Sequence, residues 1–324
     1  MSKVKCLLCP RGCELRDGER GNCRSRMNIG GKLYTLAYGK PCAVHVDPIE
    51  KKPFYHYLPG TLSFSLATAG CNLHCMYCQN WEIAQKNPED TINISLSPEQ
   101  VVEGALKNNC RTIAGTYSEP IVFFEYASDI AQLAHKNNLL NIWVTAGYIN
   151  PEPLKEALTF LDAIKVDLKG ITDDFYKNMA QATLEPVLNT IKLIKQNGTW
   201  LELVNLVVPT YNDTKNDFSM LCDWIVENLG QDVPLHFSKF WPIYHLKNLP
   251  PTPEESLMQA RNIAMSKGIK YVYLGNVPEH EGNNTYCASC KKLIVERQGY
   301  LIAENNIVGG NCKFCSNKIP GRWE

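Results

Sequence analysis

From residue 61 onward the chain alternates short apolar runs with longer stretches whose apolar residues recur at helical spacing. The runs "LSFSLATAG", "RTIAGTY", "NIWVTAG", "AIKVDLKG", "LELVNLVVP" and "PLHFSKFWP" read as strands. Between them "SPEQVVEGALKNN", "EYASDIAQLAHKNN", "PEPLKEALTF", "LEPVLNTIKLIKQN" and "DFSMLCDWIVENL" read as amphipathic helices, several opening at Ser, Pro or Asp. "TPEESLMQARNIAMSKG" and a further apolar run, "YVYLGNV", follow. Such alternation predicts a parallel sheet with right-handed crossovers, and at about 30 or more residues per unit the region holds six or seven units rather than eight. The expected fold is α/β, a partial (β/α)6 barrel over residues 61–282.

Two flanks break the pattern. "KLYTLAYGKPCAVHVDPIEKKPFYHYLPG" mixes β-branched and aromatic residues with Gly and Pro, as short strands and turns do. Residues 1–60 are therefore expected to form a small cysteine-rich module, and residues 283–324 a zinc-ribbon-like one.

The chain has 324 residues, 44% of them hydrophobic, enough to bury a core. With 33 basic and 33 acidic residues its formal charge is zero, so no global attraction to nucleic acid or an anionic membrane is expected. No apolar run approaches the ~20 residues of a membrane span, and "MSKVKCLLCPRG" lacks a signal-peptide core. A cytoplasmic location is the expectation, and in that compartment fourteen cysteines argue for metal or redox chemistry rather than disulfides.

Eleven of them fall into three groups. Cys71, Cys75 and Cys78, in "GCNLHCMYCQNWEIAQ", have a spacing that wraps three corners of an iron–sulfur cube and leaves one iron open to a chelating amine and carboxylate. His74 makes a Cys3His zinc the competing reading, an awkward one because His74 and Cys75 are adjacent. Cys287, Cys290, Cys312 and Cys315 form two CxxC knuckles separated by 21 residues, a zinc ribbon with a rubredoxin-type iron site as the alternative. Cys6, Cys9, Cys13 and Cys23, spaced C-x2-C-x3-C-x9-C, match neither a ferredoxin run nor a symmetric ribbon. Zinc or a second iron–sulfur cluster fits this group, and the interleaved Arg11, Arg16, Arg20, Arg24 and Arg26 lean the reading to a solvated zinc knuckle. Cys42, Cys110 and Cys222 stand alone and are expected to pack in the core.

In parallel α/β folds chemistry gathers at the carboxyl ends of the strands. The central cysteines follow the first barrel strand. Ser118, Glu119, Thr145, Asp167, Lys169, Asn205, His236 and Lys239, near the ends of other strands, should converge on them.

"CNLHCMYC" resembles the CxxxCxΦC signature of the radical S-adenosylmethionine (SAM) superfamily, with Tyr77 at the aromatic position. "GTYSEP" at 115–120 resembles that superfamily's second-strand segment, and "KVDLKG" at 165–170 the fourth-strand segment of glycyl-radical-enzyme activases such as the pyruvate formate-lyase activating enzymes. "CLLCPRGCEL", "DPIEKKPFYHYLPG", "CQNWEIAQ", "YVYLGNV" and the terminal CxxC pairs together resemble the radical SAM member of the AmmeMemoRadiSam three-gene system. The resemblance implies an oxidoreductase with a [4Fe–4S] cluster on Cys71, Cys75 and Cys78 that cleaves SAM to a 5′-deoxyadenosyl radical and abstracts hydrogen from a substrate. It further implies Tyr77 beside adenine, Ser118 and Glu119 near the methionine amino group, Asp167 and Lys169 on SAM or a nearby cation, and an electron donor such as flavodoxin or ferredoxin. His236 is a further candidate cofactor contact by its strand position. The chain departs from related activases at Val144, where Asp is frequent, and at Phe240-Trp241-Pro242, where relatives often read FHP. The substrate is a protein, as for an activase, or a small molecule. A non-catalytic multi-zinc scaffold is the competing class, and the polar strand ends argue against it.

Overall fold

The computed structural model describes residues 3–278 and 280–324. Two hairpins open the chain, β1 (Val4–Lys5) with β2 (Glu14–Leu15) and β3 (Arg26–Ile29) with β4 (Lys32–Thr35). An eight-stranded sheet follows, made of β5 (Ala43–Pro48), β6 (Leu62–Ala67), β7 (Thr112–Gly115), β8 (Leu140–Thr145), β9 (Ala163–Asp167), β10 (Trp200–Val207), β11 (Leu235–Lys239) and β12 (Val272–Gly275). Neighbours in space are neighbours in sequence, and β6 to β12 all run parallel. Among the described residues β12 pairs only with β11 and β5 only with β6, so the barrel stays open.

The expected strands and helices are found. After the short α1 (Trp81–Ala84) come α2 (Pro98–Lys107), α3 (Phe124–Lys136), α4 (Pro151–Ala157), the one-turn α5 (Asp173–Phe175), α6 (Glu185–Asn197), α7 (Lys215–Leu229) and α8 (Glu254–Ser266). Sequence signals set their starts: Ser97 and Gln100 form a reciprocal capping box on α2, as do Thr214 and Asp217 on α7. "YVYLGNV" contributes β12, a seventh parallel strand.

Alternation divides each strand between two cores. Leu201, Leu203, Ile164, Val166, Leu235 and Phe237 face the helices in the main core. On the other face Ala114, Ile142 and Ala163 meet Ile49, Phe54, Tyr57 and Leu58, so the segment after β5 plugs the concave side of the sheet. β5 itself, from the stretch read as part of the N-terminal module, is an antiparallel edge strand of this sheet, pairing Val44 with Leu66 and Asp47 with Ser63.

The C-terminal segment holds β13 (Thr285–Tyr286), β14 (Leu293–Gln298), β15 (Leu301–Asn305), β16 (Ile307–Val308) and β17 (Asn311–Cys312). It is fastened to the plug: Arg297 donates to the Tyr55 carbonyl at 2.8 Å, and the Leu58 N–H to the Arg322 carbonyl at 2.7 Å. Among the described residues no helix is long and apolar enough to cross a membrane.

Candidate active site

The loop after β6 carries Cys71, Cys75 and Cys78, and it is tied down on every side. Ser25 Oγ donates to the Ala69 carbonyl at 2.7 Å and Asn72 Nδ2 to the Tyr148 carbonyl at 2.7 Å. The His74 and Met76 N–H groups donate to the Ala180 and Met179 carbonyls at 3.0 and 2.9 Å, and the His245 N–H to the Met76 carbonyl at 3.1 Å. Gly70 has φ 101°, and a Cβ there would collide with Ser25 Oγ and the Cys23 carbonyl, so only glycine fits between the two loops.

The three sulfurs do not close on a point. Among the described residues, the only group of three or more potential ligands whose atoms lie within 4.8 Å of one another is Cys287, Cys290, Cys312 and Cys315. The Leu73 N–H donates to Cys71 Sγ at 3.4 Å, and the Asn80 N–H is directed at the Cys78 sulfur. Burial and then Cys75 push the Cys78 thiol up to about 11, and burial raises Cys71 and Cys75 as well. A cation shared by the three would reverse these shifts, because a coordinating thiol is deprotonated.

Polar groups from three other strand ends gather here. Glu119 is buried, with Oε1 accepting from Thr145 Oγ1 at 2.5 Å and Oε2 from the Ala146 N–H at 2.8 Å. Burial raises its carboxyl to about 7, against the lowering effect of these donors, and its charge is felt at Cys71 and Cys75. Ser118 Oγ donates to the Thr68 carbonyl at 2.7 Å. Asp167 pairs with Lys165 and, at 3.4 Å, with Lys169; burial opposes its ionisation, but the two lysines outweigh burial and hold the carboxyl below its usual range. Lys169 Nζ lies 5.9 Å from the centre of the Tyr77 ring, and its charge reaches Cys75. Tyr77 is buried and its hydroxyl has no partner, which leaves a polar group for something the chain does not itself supply. Thr68 Oγ1, beside the loop, is likewise unpartnered.

Thr145, Asp167 and Lys169 thus join Glu119 and the cysteines. Asn205 supports the site indirectly, its Nδ2 donating to the Leu168 carbonyl at 2.8 Å, and Lys239 lies over Trp241. The structure places His236 elsewhere: its Nε2 is 2.8 Å from Glu202, and its ring packs on Tyr55 and Tyr273, against the plug and not the cysteine loop. His74 has both ring nitrogens in hydrogen bonds, to Gln85 and Asn22 at 2.8 Å each, which leaves neither for a metal. Val144 packs against the plug.

At the C-terminus the Sγ pairs Cys287–Cys315 and Cys290–Cys312 are 3.6 and 3.7 Å apart. Cys6, Cys9, Cys13 and Cys23 line one cavity, of which Asn72 is also a wall.

A charged cluster escaped the sequence reading. Asp47 accepts from Lys51 at 2.8 Å, from Lys52 at 2.6 Å and from the Tyr117 hydroxyl, and Lys52 Nζ stands 4.0 Å over the Tyr117 ring. Its residues lie in "DPIEKK", within the stretch read as short strands and turns, and in "GTYSEP". Lys165 was legible, because it stands two positions before Asp167 on one face of β9.

An open parallel barrel with three cysteines on its first loop and an acid, a lysine and a buried tyrosine around them defines a class. The chain belongs to the radical SAM superfamily and is a radical SAM enzyme; the superfamily's model matches residues 65–225. It is 48% identical over 320 residues to an uncharacterized protein of Methanocaldococcus jannaschii, MJ0808, covering 98% of this chain and 95% of that one. It is 26% identical over 172 residues to the pyruvate formate-lyase-activating enzyme of Clostridium pasteurianum, covering 49% of this chain and 67% of that enzyme. In fold it is similar to a radical SAM methyltransferase from Sphaerobacter thermophilus, with TM-score 0.54, 14% identity and 73% and 71% of the two chains covered.

Proposed function

We propose that Cys71, Cys75 and Cys78 hold a [4Fe–4S] cluster whose open iron takes SAM, and that the enzyme abstracts hydrogen from a substrate at the strand-end mouth. The observation that carries this is the set of three sulfurs, Cys75 buried and Cys71 and Cys78 half-buried, not gathered within 4.8 Å as around one ion, facing Glu119, Lys169 and the unpartnered Tyr77 hydroxyl. Cluster and SAM together supply the one-electron cleavage that yields methionine and a 5′-deoxyadenosyl radical.

The chain's own residues bind and orient. Glu119 receives the methionine ammonium, and that positive charge holds its carboxylate ionised against the burial that otherwise raises it. Ser118, anchored to Thr68, lies next to it in the chain. Tyr77 packs against adenine and offers its hydroxyl. Lys169, kept charged by Asp167, contacts the SAM carboxylate. The loop between β11 and α8 covers the cysteine loop through His245 and through Trp81 stacked on Tyr244 at 5.3 Å, and this cover excludes water.

The motif resemblance over the whole chain supports assigning it to the radical SAM member of the AmmeMemoRadiSam system. Similarity to a glycyl-radical activase supports a protein substrate and a flavodoxin- or ferredoxin-type reductant. Zinc is the metal we assign to Cys287, Cys290, Cys312 and Cys315, whose paired sulfurs stand near the roughly 3.8 Å expected around one tetrahedral ion with ligands at about 2.3 Å. The function is tested by anaerobic reconstitution with iron and sulfide, reduction with dithionite and assay for 5′-deoxyadenosine after SAM is added. Its formation supports the reading; zinc alone with no cleavage overturns it in favour of a scaffold.

A further inference from the structure

Four observations meet at the N-terminal cavity. Cys6, Cys9, Cys13 and Cys23 all line it, together with Arg11, Arg26 and Asn72. No three of their sulfurs lie within 4.8 Å of one another, unlike the C-terminal four. A single tetrahedral ion needs sulfurs about 3.8 Å apart, whereas a four-iron cube holds its ligand sulfurs on the order of 6 Å apart, because each iron stands off the centre. The central cysteines, likewise, are not gathered within 4.8 Å of one another.

The backbone is also arranged for thiolates. Asn22 N–H donates to Cys13 Sγ at 3.5 Å.

Three buried polar atoms on this cavity wall have no partner: Arg11 Nη2, Arg26 Nε and Asn72 Oδ1. Arg26 is 6% exposed and Asn72 1%. Arg26 already spends Nη2 on Glu125 at 2.6 Å, and Arg11 its Nε on the Asn72 carbonyl at 2.9 Å. A buried and a half-buried arginine, each with a spare buried donor beside four thiols, suit an anionic guest, since buried polar groups ordinarily find partners.

We infer that Cys6, Cys9, Cys13 and Cys23 ligate a second [4Fe–4S] cluster, with Arg11 and Arg26 balancing its negative charge. The arginines that leaned the sequence reading toward a solvated knuckle divide: Arg11 and Arg26 line the cavity, while Arg20 pairs outward with Glu89 at 2.6 Å. The site shares the Asn72 wall with the loop of Cys71.

The inference does not depend on SAM cleavage, and its test separates the two. The full chain and its Cys71→Ala/Cys75→Ala/Cys78→Ala variant are reconstituted anaerobically, and iron and zinc are counted alongside Mössbauer and reduced-state EPR spectra. The expected result is about eight irons and one zinc in the wild type and about four irons and one zinc in the variant. The variant's reduced EPR signal should not respond to SAM. About four irons and two zincs in the wild type, or a triple variant without iron, overturns the inference. If the triple variant does not fold, the wild-type count alone decides. A variant that keeps its cube while wild type fails to cleave SAM would break the proposed function and leave this site standing.

Discussion

The two terminal cysteine groups have the same number of ligands and opposite builds. At the C-terminus four sulfurs already stand as they would around one ion, on a small sheet of their own docked on the plug. At the N-terminus four sulfurs are spread around a cavity whose wall is also part of the cysteine loop. Ligand count does not select the metal; sulfur spacing and the charges around it do. Position adds a second difference, since the N-terminal group touches the reacting site through Asn72, whereas the ribbon is tied to the plug and to the end of the barrel around Tyr273.

The sharpest test of that division is to remove one ligand from each region. Cys75→Ala should drop 5′-deoxyadenosine formation below detection while the thermal unfolding midpoint stays within a few degrees of wild type. Cys287→Ser should lose the zinc, whose binding is worth roughly 10–16 kcal/mol in isolated zinc-finger peptides, and expose the β14 and β15 amides to hydrogen exchange. It should keep SAM cleavage within about tenfold. A cleavage defect as deep as that of Cys75→Ala would erase the division.

The weld between the N-terminal module and the cysteine loop gives the next effect. Gly70→Ala combines a left-handed φ with a clash against Ser25 and Cys23, and should cost about 2–5 kcal/mol in urea denaturation. Gly299→Ala, also at positive φ but in open space, should cost about 1 kcal/mol. Equal costs would mean that the two loops are not packed as described.

The plug and ribbon carry an effect that appears only as pH falls. Burial lowers His56 to about 4, with Nδ1 2.6 Å from the Pro320 carbonyl and Nε2 2.5 Å from Tyr273 Oη. Between pH 6.5 and 4 the unfolded chain binds a proton that the folded one refuses, so stability should fall as pH falls through that window, by about 3 kcal/mol. Glu202 adds to the fall at lower pH: burial opposes its ionisation, but His236 and the other donors hold it depressed, so its contribution is present above the ordinary carboxylate pKa and lost as pH falls below it. Urea titrations across pH should show this slope, and His56→Gln should flatten its upper part.

What was legible in the sequence was local. The period of two in "AIKVD", the Ser97 and Thr214 caps and the spacing of Cys71, Cys75 and Cys78 each declare themselves within a few residues. What was not legible depends on distant partners. The stretch around "AVHVDP" becomes an edge strand only because β6 lies beside it, and "KPFYHYLPG" is a plug because the concave face of β7 to β9 is apolar. His236 looked like a mouth residue by its place on β11, but Glu202, a buried carboxylate on β10, holds it against the plug. Sulfur spacing among Cys6, Cys9, Cys13 and Cys23 is likewise a property of the folded loops, and no count of intervening residues gives it.

The most direct test of the central claim is 5′-deoxyadenosine formation by the reconstituted, dithionite-reduced chain, measured beside the Cys71→Ala/Cys75→Ala/Cys78→Ala variant. The account predicts product from the wild type and none from the variant. Product from both, or from neither with the wild-type cluster confirmed by Mössbauer spectroscopy, would contradict it.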